Sequence, residues 1–330
     1  MAEGASIAEA RALGGGVAAV DCGTNSTRLL VLGPDGTRLA RRMQITRLGA
    51  GVDRTGELDR AAMERTLAVL REFRQLLDEL GVEAAAGRVR AAATSATRDA
   101  RNAAEFVEAA GEILGVRPEV IKGREEGRLA YLGATRGLPE EAGPYLVVDI
   151  GGGSTELIAG AEPSAPDGGP AVVVSLDVGC VRITERYLAS DPPTAEELAA
   201  ARLAARELIE SAARAHLELR SARTMVGVAG TVSALAVMAL GLEGFVEERV
   251  HHARISRAEV ADLARRLASV PLAERRELRG MERARADVIV GGATVLEEVM
   301  GTLGYDELVA SESDILDGIA HELLGRRHSS

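Results

Sequence analysis

Residues 149–155 combine a carboxylate, three consecutive glycines and two hydroxyl side chains, which together suit the binding of a phosphate group. Glycines tolerate positive φ and let a ligand approach bare N–H groups, and concave groups of N–H donors bind phosphate oxygens. Asp149 ends an apolar run, where a carboxylate can hold a divalent cation beside those phosphates. The candidate phosphate-binding residues are Gly151, Gly152, Gly153 and Ser154. An ordinary glycine-rich β-hairpin would show the same local pattern.

The same pattern, D-x-G-x-x-S-T-x-L, occurs a second time, starting 128 residues earlier at Asp21. Both copies lie between apolar runs typical of short buried strands. A repeat of such long period indicates a duplicated domain, and we expect two phosphate-binding hairpins facing each other across a cleft. The second set of candidate residues is Gly23, Thr24, Asn25 and Ser26.

Three further residues and one turn could contribute to phosphoryl chemistry. Arg98, predicted to lie in a loop after a strand, could bind a phosphate in bidentate fashion; a surface salt bridge is the alternative. Glu125 and Glu126 are candidate general bases. On a helix they point about 100° apart, so only one can face a site, and the pattern does not say which. Gly230 and Thr231 form a strand-to-helix turn whose N–H groups could meet an anion.

The composition limits the classes of function. A net charge of −11 argues against a general nucleic-acid binder, although local arginines could still hold a small polyanion. Lys122 is the only lysine, so a G-x-x-x-x-G-K-[ST] loop is absent. Cys22 and Cys180 predict neither a disulfide framework nor a zinc site. No apolar run reaches the length of a membrane span, and we expect a cytoplasmic protein without a membrane partner.

The periodicity predicts a mixed α/β protein. Three strands, a helix, a strand, a helix and a strand are expected before residue 122, and a second set of three strands follows the second glycine turn. A helix from 123 should cross between the two halves. The expected later elements include helices at 195–219, 256–268 and 288–302 and a last helix from 313.

These segments together resemble the exopolyphosphatase and guanosine pentaphosphate phosphohydrolase family, within the actin, sugar-kinase and Hsp70 ATPase superfamily. The resemblance rests on residues 19–26, 94–102, 123–132, 148–157 and 227–231. It implies an α/β fold of two ribonuclease-H-like domains with the active site in the cleft between them. We expect these domains at 1–130 and 131–330, with the last helix, 313–325, able to return to the first domain.

The resemblance also assigns roles to residues that the pattern alone leaves open. It implies that Glu126 is the general base that activates water, and that Mg²⁺ (or Mn²⁺) binds near Asp149 and Glu156. It implies that Arg98 and both hairpins hold phosphates. Residues 313–318 depart from the Gly-Leu-Arg-Glu-Gly sequence common in the family, so no contact by that arginine is carried over.

We therefore expect an exopolyphosphatase that releases orthophosphate from short polyphosphate, because the chain ends after the two-domain core, as in the short actinobacterial form. The alternatives are a guanosine pentaphosphate 5′-phosphohydrolase, a nucleotide-sensing binding protein with a vestigial site and, less favoured, a sugar kinase. A homodimer is expected from the family resemblance.

Overall fold

The strands form two separate sheets in the computed structural model, which describes residues 16–139, 142–160 and 170–328. The first sheet has the order β3-β2-β1-β4-β5, and the second has the order β10-β11-β9-β6-β7-β8. The strands are β1 Val17–Cys22, β2 Ser26–Leu32, β3 Arg38–Ile45, β4 Val89–Ala93, β5 Glu119–Val120, β6 Tyr145–Ile150, β7 Thr155–Gly160, β8 Val172–Leu176, β9 Thr224–Val228, β10 Arg254–Ser256 and β11 Glu307–Ala310.

The helices lie on the faces of these sheets and in the connections between strands. The helices of the described chain are α1 Val52–Thr55, α2 Arg60–Leu80, α3 Ser95–Asp99, α4 Ala103–Leu114, α5 Gly123–Ala134, α6 Cys180–Tyr187, α7 Ala195–Ala215, α8 Glu218–Ser221, α9 Ala229–Ala239, α10 Glu247–Val250, α11 Arg257–Ala268, α12 Leu272–Arg275, α13 Ile289–Leu303 and α14 Ile315–His328. None of them combines the length and the apolar character that a membrane span requires.

The first unit comprises residues up to Leu129 and residues from Ile315 onward. In its sheet, β1 pairs antiparallel with β2 and parallel with β4. One face carries the apolar core, in which α2 and α4 cover alternate residues of the strands, among them Val20 and Leu29. Helix α14 packs against β1 and β2. This arrangement places the β1–β2 turn at the carboxyl end of β1, beside the carboxyl end of the parallel strand β4.

The second unit, Ala130–Asp314, repeats this pattern of strand pairing. Strand β6 pairs antiparallel with β7 and parallel with β9, and β7 pairs antiparallel with β8 as β2 does with β3. The duplication predicted from the repeated motif is therefore present in the strand pairing of both sheets.

Most predicted elements are confirmed, and the differences have local causes. The predicted third strand coincides with β3. The helix predicted at 195–219 ends earlier, at Ala215, because His216 adopts an extended conformation, and α8 follows separately. The last helix begins at Ile315 rather than at 313, because Ser313 takes part in a turn, where its N–H donates to the Ser311 hydroxyl. The short strand β10 was not predicted.

Candidate active site

The two predicted hairpins share the same backbone geometry. In the first, the N–H of Gly23 donates to the carbonyl of Ser26 at 3.0 Å, and in the second the N–H of Gly151 donates to the carbonyl of Ser154 at 3.0 Å. The strands on either side also pair in the same register. Each hairpin is thus a four-residue turn with its central peptide groups outside the ladder.

The carbonyl groups of the second hairpin are held by helix α6. The first three N–H groups of α6 donate to the carbonyl oxygens of Gly151 and Gly152 at 2.9–3.1 Å. A trans peptide is planar, so the C=O of one residue and the N–H of the next point in opposite directions. The N–H groups of Gly152 and Gly153 are therefore directed away from α6. Among the described residues, no backbone carbonyl accepts from these two groups.

The first hairpin is held in the same way by the segment that follows β3. Its Thr24 carbonyl accepts from the N–H of Gly49 at 2.8 Å, and its Asn25 carbonyl accepts from Thr46 at 3.1 Å and Arg47 at 2.9 Å. By the same peptide geometry, the N–H of Asn25 points away from this segment. Both hairpins thus present N–H groups on the side opposite to their carbonyl partners.

The side chains of the first hairpin have different surroundings. The Thr24 hydroxyl lies 2.8 Å from the Ser95 hydroxyl, which ties the hairpin to α3. Asn25 is buried, and its Nδ2 has no hydrogen-bond partner among the described residues. Ser26 is half-buried at the start of β2. A buried amide donor without an acceptor is costly, so Asn25 is the side chain of this hairpin best suited to donate to a ligand oxygen.

Asp149 and Glu156 lie directly opposite each other on β6 and β7. Both carboxylates are buried, at 6% and 1% exposure, and the Ser175 hydroxyl donates to Glu156 Oε1 at 2.7 Å. Cross-strand partners have Cβ atoms about 5 Å apart. Two buried carboxylates at that spacing match the oxygen ligands that Mg²⁺ prefers, and the donor set fits such a cation. No group of three or more ligating side chains occurs among the described residues, so other oxygens would complete the coordination.

The equivalent position in the first unit carries the opposite charge. Asp21 pairs across the strands with Arg28, and its Oδ2 accepts from Arg28 Nε at 2.9 Å and from Nη2 at 2.6 Å. The duplicated pair of positions thus holds two carboxylates in one unit and an ion pair in the other. Sequence reasoning did not single out Arg28, although alignment of the repeats sets it against Glu156.

Glu125 and Glu126, which the pattern could not distinguish, have different partners. Glu126 is buried, and its Oε2 accepts from Arg98 Nη1 at 3.2 Å. Glu125 is about one-third exposed and pairs with Arg128 at 2.8 Å and Arg90 at 3.5 Å. These bonds, of which the bond from Arg128 has the largest effect, hold the pKa of Glu125 below its ordinary value. Glu125 therefore belongs to a surface ion-pair network, and Glu126 lies beside Arg98.

The prediction that Arg98 lies in a loop is wrong, because residues 95–99 form α3. Its Nη1 also donates to the carbonyl of Ile121 at 3.0 Å. Since Ser95 on the same helix contacts Thr24, α3 brings the first hairpin, Arg98 and Glu126 together within the first unit.

The third predicted turn lies at the start of α9 in the second unit. Gly230 has no room for a Cβ, because the guanidinium of Arg285 occupies that space. Arg285 is itself buried and donates from Nε to Glu282 at 3.0 Å. The Thr231 hydroxyl is buried and hydrogen-bonds to the Cys180 thiol. A buried arginine, Arg285, thus lies against this turn. No local sequence signal indicated this contact.

Cys22 lies at the end of β1 and is fully buried. Burial, and then the charge of Asp21, raise the pKa of its thiol far above the ordinary value. The thiol therefore stays protonated, as expected for a small buried residue.

Two units with this strand order, each with a glycine-containing hairpin between its first two strands, define a pair of ribonuclease-H-like α/β domains. The chain belongs to the Ppx/GppA phosphatase family, whose model matches residues 34–327. It is accordingly a hydrolase.

Relatives of known name cover nearly the whole chain. Exopolyphosphatase 2 of Mycobacterium tuberculosis is 41% identical in an alignment of 326 positions that covers 94% of this chain and 98% of the relative. The crystal structure of an exopolyphosphatase-like protein matches with a TM-score of 0.89 and 38% identity, over 94% of this chain and 99% of that one. The Aquifex aeolicus family member matches with a TM-score of 0.77 and 32% identity, over 95% and 99%.

Proposed function

We propose that this chain is an exopolyphosphatase that hydrolyses the terminal phosphoanhydride bond of short inorganic polyphosphate and releases orthophosphate. The observation that carries the mechanism is the buried Glu126 carboxylate beside Arg98. Hydrolysis of a phosphoanhydride needs charge neutralisation, a positioned water and an acceptor for its proton. The polyphosphate substrate is inferred from the name of the Mycobacterium tuberculosis relative.

In this proposal Glu126 accepts the proton of the attacking water. Arg98 Nη1 bonds to Glu126 and to the Ile121 carbonyl, which fixes the carboxylate and leaves the other guanidinium N–H groups of Arg98 for a phosphate oxygen. The pair thus aligns the base and the terminal phosphoryl group. An arginine fork suits this task because its donors lie in one plane.

Each hairpin supplies donors to phosphate oxygens. In the first unit the proposed phosphate ligands are the backbone and side chains of Gly23, Thr24, Asn25 and Ser26. In the second unit they are those of Gly151, Gly152, Gly153 and Ser154, with the N–H groups of Gly230 and Thr231. Asp149 and Glu156 would hold Mg²⁺ (or Mn²⁺). When bound, such a cation neutralises charge on the phosphate oxygens.

The assignment is tested by phosphate release from tripolyphosphate, long-chain polyphosphate and guanosine pentaphosphate, measured side by side with Mg²⁺. We expect the highest kcat/KM with tripolyphosphate. Preference for guanosine pentaphosphate would favour the 5′-phosphohydrolase alternative. No release from any of the three substrates, with binding retained, would favour a nucleotide-sensing protein with a vestigial site.

Two accompanying predictions concern the oligomeric state of the protein and its location in the cell. A homodimer is expected from the family resemblance and is tested by light scattering of the purified protein. A cytoplasmic location is tested by fractionation of cells that express the full chain.

A further inference from the structure

One carbonyl group of the second hairpin is held by a side chain of α6. Arg182, in the first turn of α6, donates from Nε to the carbonyl oxygen of Gly153 at 2.7 Å. Arg182 is half-buried. Together with the N–H groups of α6, this bond gives all three glycine carbonyls a donor on the same helix.

The orientation of the hairpin follows from these bonds. A carbonyl held toward α6 directs the N–H of the next residue away from α6, because the peptide is planar and trans. The bond from Arg182 to Gly153 therefore sets the direction of the N–H of Ser154. The α6 bonds to Gly151 and Gly152 do the same for the two preceding N–H groups.

The helix also approaches the hairpin too closely for a larger residue at its start. A Cβ on Gly179 would lie 2.5 Å from the carbonyl oxygen of Gly152 and 2.8 Å from that of Gly151. The close approach keeps the positive end of α6 against the glycine carbonyls. A charged donor strengthens a hydrogen bond and polarises the peptide group that accepts it.

We propose that Arg182 is a positioning residue for phosphate binding, which holds the Gly153 carbonyl so that the N–H of Ser154 faces a phosphate oxygen of the substrate. This inference rests on the proposed function in one respect, namely that the second hairpin binds phosphate. Arg182 acts through the hairpin and does not itself touch the substrate.

The first hairpin provides an internal contrast. Its carbonyls are held by the backbone N–H groups of Thr46, Arg47 and Gly49. Substitutions other than to proline leave those backbone donors in place, whereas the donor to Gly153 is a side chain and can be replaced. A variant at Arg182 therefore perturbs one hairpin and leaves the bonds of the other in place.

The experiment compares Arg182→Met, which keeps an unbranched stem without the donor, with Arg182→Lys, which restores a charged donor. Arg186→Gln, an exposed arginine one turn later on α6, is the matched control. The dissociation constant of tripolyphosphate with Mg²⁺ is measured by calorimetry, and KM and kcat are measured by phosphate release. Thermal unfolding checks that each variant is folded.

We expect Arg182→Met to raise the dissociation constant and KM about tenfold, as for the loss of one charge-assisted interaction. Phosphate charge is present in the ground state as well as in the transition state, so kcat should change less. Arg182→Lys should recover most of the affinity, and Arg186→Gln should stay within about twofold of the wild type. A role confined to stability would instead lower the active fraction at unchanged KM.

The two failures are distinguishable. If the wild type hydrolyses tripolyphosphate but Arg182→Met binds it with unchanged affinity, the positioning role is wrong and the proposed function stands. If the wild type binds tripolyphosphate without hydrolysing it and Arg182→Met weakens that binding, the positioning role stands and the proposed function is wrong. A wild type that neither binds nor hydrolyses tripolyphosphate would overturn both.

Discussion

Adjacent carboxylates at 125 and 126 point to different faces of α5, because successive helical residues are rotated by about 100°. On one face Glu125 pairs with Arg128 of the same helix and with Arg90 of β4, and on the other Glu126 pairs with Arg98 of α3. The sequence showed that only one glutamate could serve as a base. Which one depends on Arg98, 28 residues away, and no local pattern specifies that contact.

In the proposed mechanism Arg98 donates to a substrate phosphate and holds the Glu126 carboxylate, so its removal should affect both KM and kcat. Arg98→Ala should raise KM for tripolyphosphate about 10- to 100-fold, since a charged hydrogen bond is lost. The fall in kcat should be smaller and should follow from the loss of the bond from Arg98 to Glu126. Arg98→Lys should not fully restore KM, because the planar fork is lost. Arg101→Ala, which removes a largely exposed arginine from the next turn, is the control. Unchanged KM and kcat in Arg98→Ala would remove Arg98 from the site.

The proposed role of Asp149 in holding Mg²⁺ is tested by removing its charge. Asp149→Asn keeps the shape of the hairpin and removes one of the two buried charges opposite each other at 149 and 156. The Mg²⁺ concentration needed for half-maximal activity should rise about tenfold or more, because hard cations prefer carboxylate ligands. Titration of Mg²⁺ against wild type and variant measures it. Coincident curves would mean that Asp149 has only a structural role.

At the scale of elements, helix α14 packs closely against α5 within the first unit. A Cβ on Gly318 would overlap the backbone of Leu129. Among the described residues outside the neighbouring helix backbone, no atom lies within 4 Å of a Cβ on Gly325 of the same helix. Gly318→Ala should lower the free energy of unfolding by about 2–3 kcal/mol, as overpacking does. Gly325→Ala should be neutral or stabilising by up to about 1 kcal/mol. Urea unfolding of both variants measures the difference, and equal stabilities would contradict the packing.

The first turn of α5 is anchored by an ion-pair network with a predictable pH dependence. Arg128 pairs with Glu125 and with Glu322 of α14, at 2.8 Å and 2.6 Å. Because these bonds lower the pKa of Glu125, its contribution to stability is present above the ordinary glutamate pKa of about 4.3. That contribution is lost as the pH falls through the lowered folded-state value.

Glu125→Gln should therefore destabilise the protein at neutral pH, and the difference from the wild type should shrink as the pH is lowered from about 6 towards 3. Denaturant unfolding at a series of pH values measures this difference. A difference that stays constant over the whole range would show that the network contributes nothing through the charge of Glu125.

At the scale of the whole molecule, the sequence contained enough to predict the duplication. The repeated motif and the alternating apolar runs specify two hairpins, and both sheets repeat the same strand pairing. Such local patterns do not specify which groups hold the hairpins. The bond from Arg182 to Gly153 joins residues 29 apart, and the approach of Arg285 to Gly230 depends on how the turn at 283–285, ahead of α13, packs against the start of α9.

The two copies of the motif differ in charge at one position, and this difference is visible in the sequence alone. Arg28 and Glu156 occupy equivalent positions, so only the second copy keeps two carboxylates. A single difference, Arg28 against Glu156, therefore gives the two copies different charges within one shared backbone pattern.

If Glu126 accepts the proton of the attacking water, as proposed, its replacement should act on kcat, which is measured for tripolyphosphate in Glu126→Gln and Glu125→Gln. A general base contributes about 10²- to 10⁴-fold in rate. Glu126→Gln keeps size and hydrogen-bonding reach, so kcat should fall by that factor while substrate still binds. Glu125→Gln should keep kcat within about threefold of the wild type, since its partners are Arg128 and Arg90. Wild-type kcat in Glu126→Gln, or equal losses in both variants, would contradict the assignment.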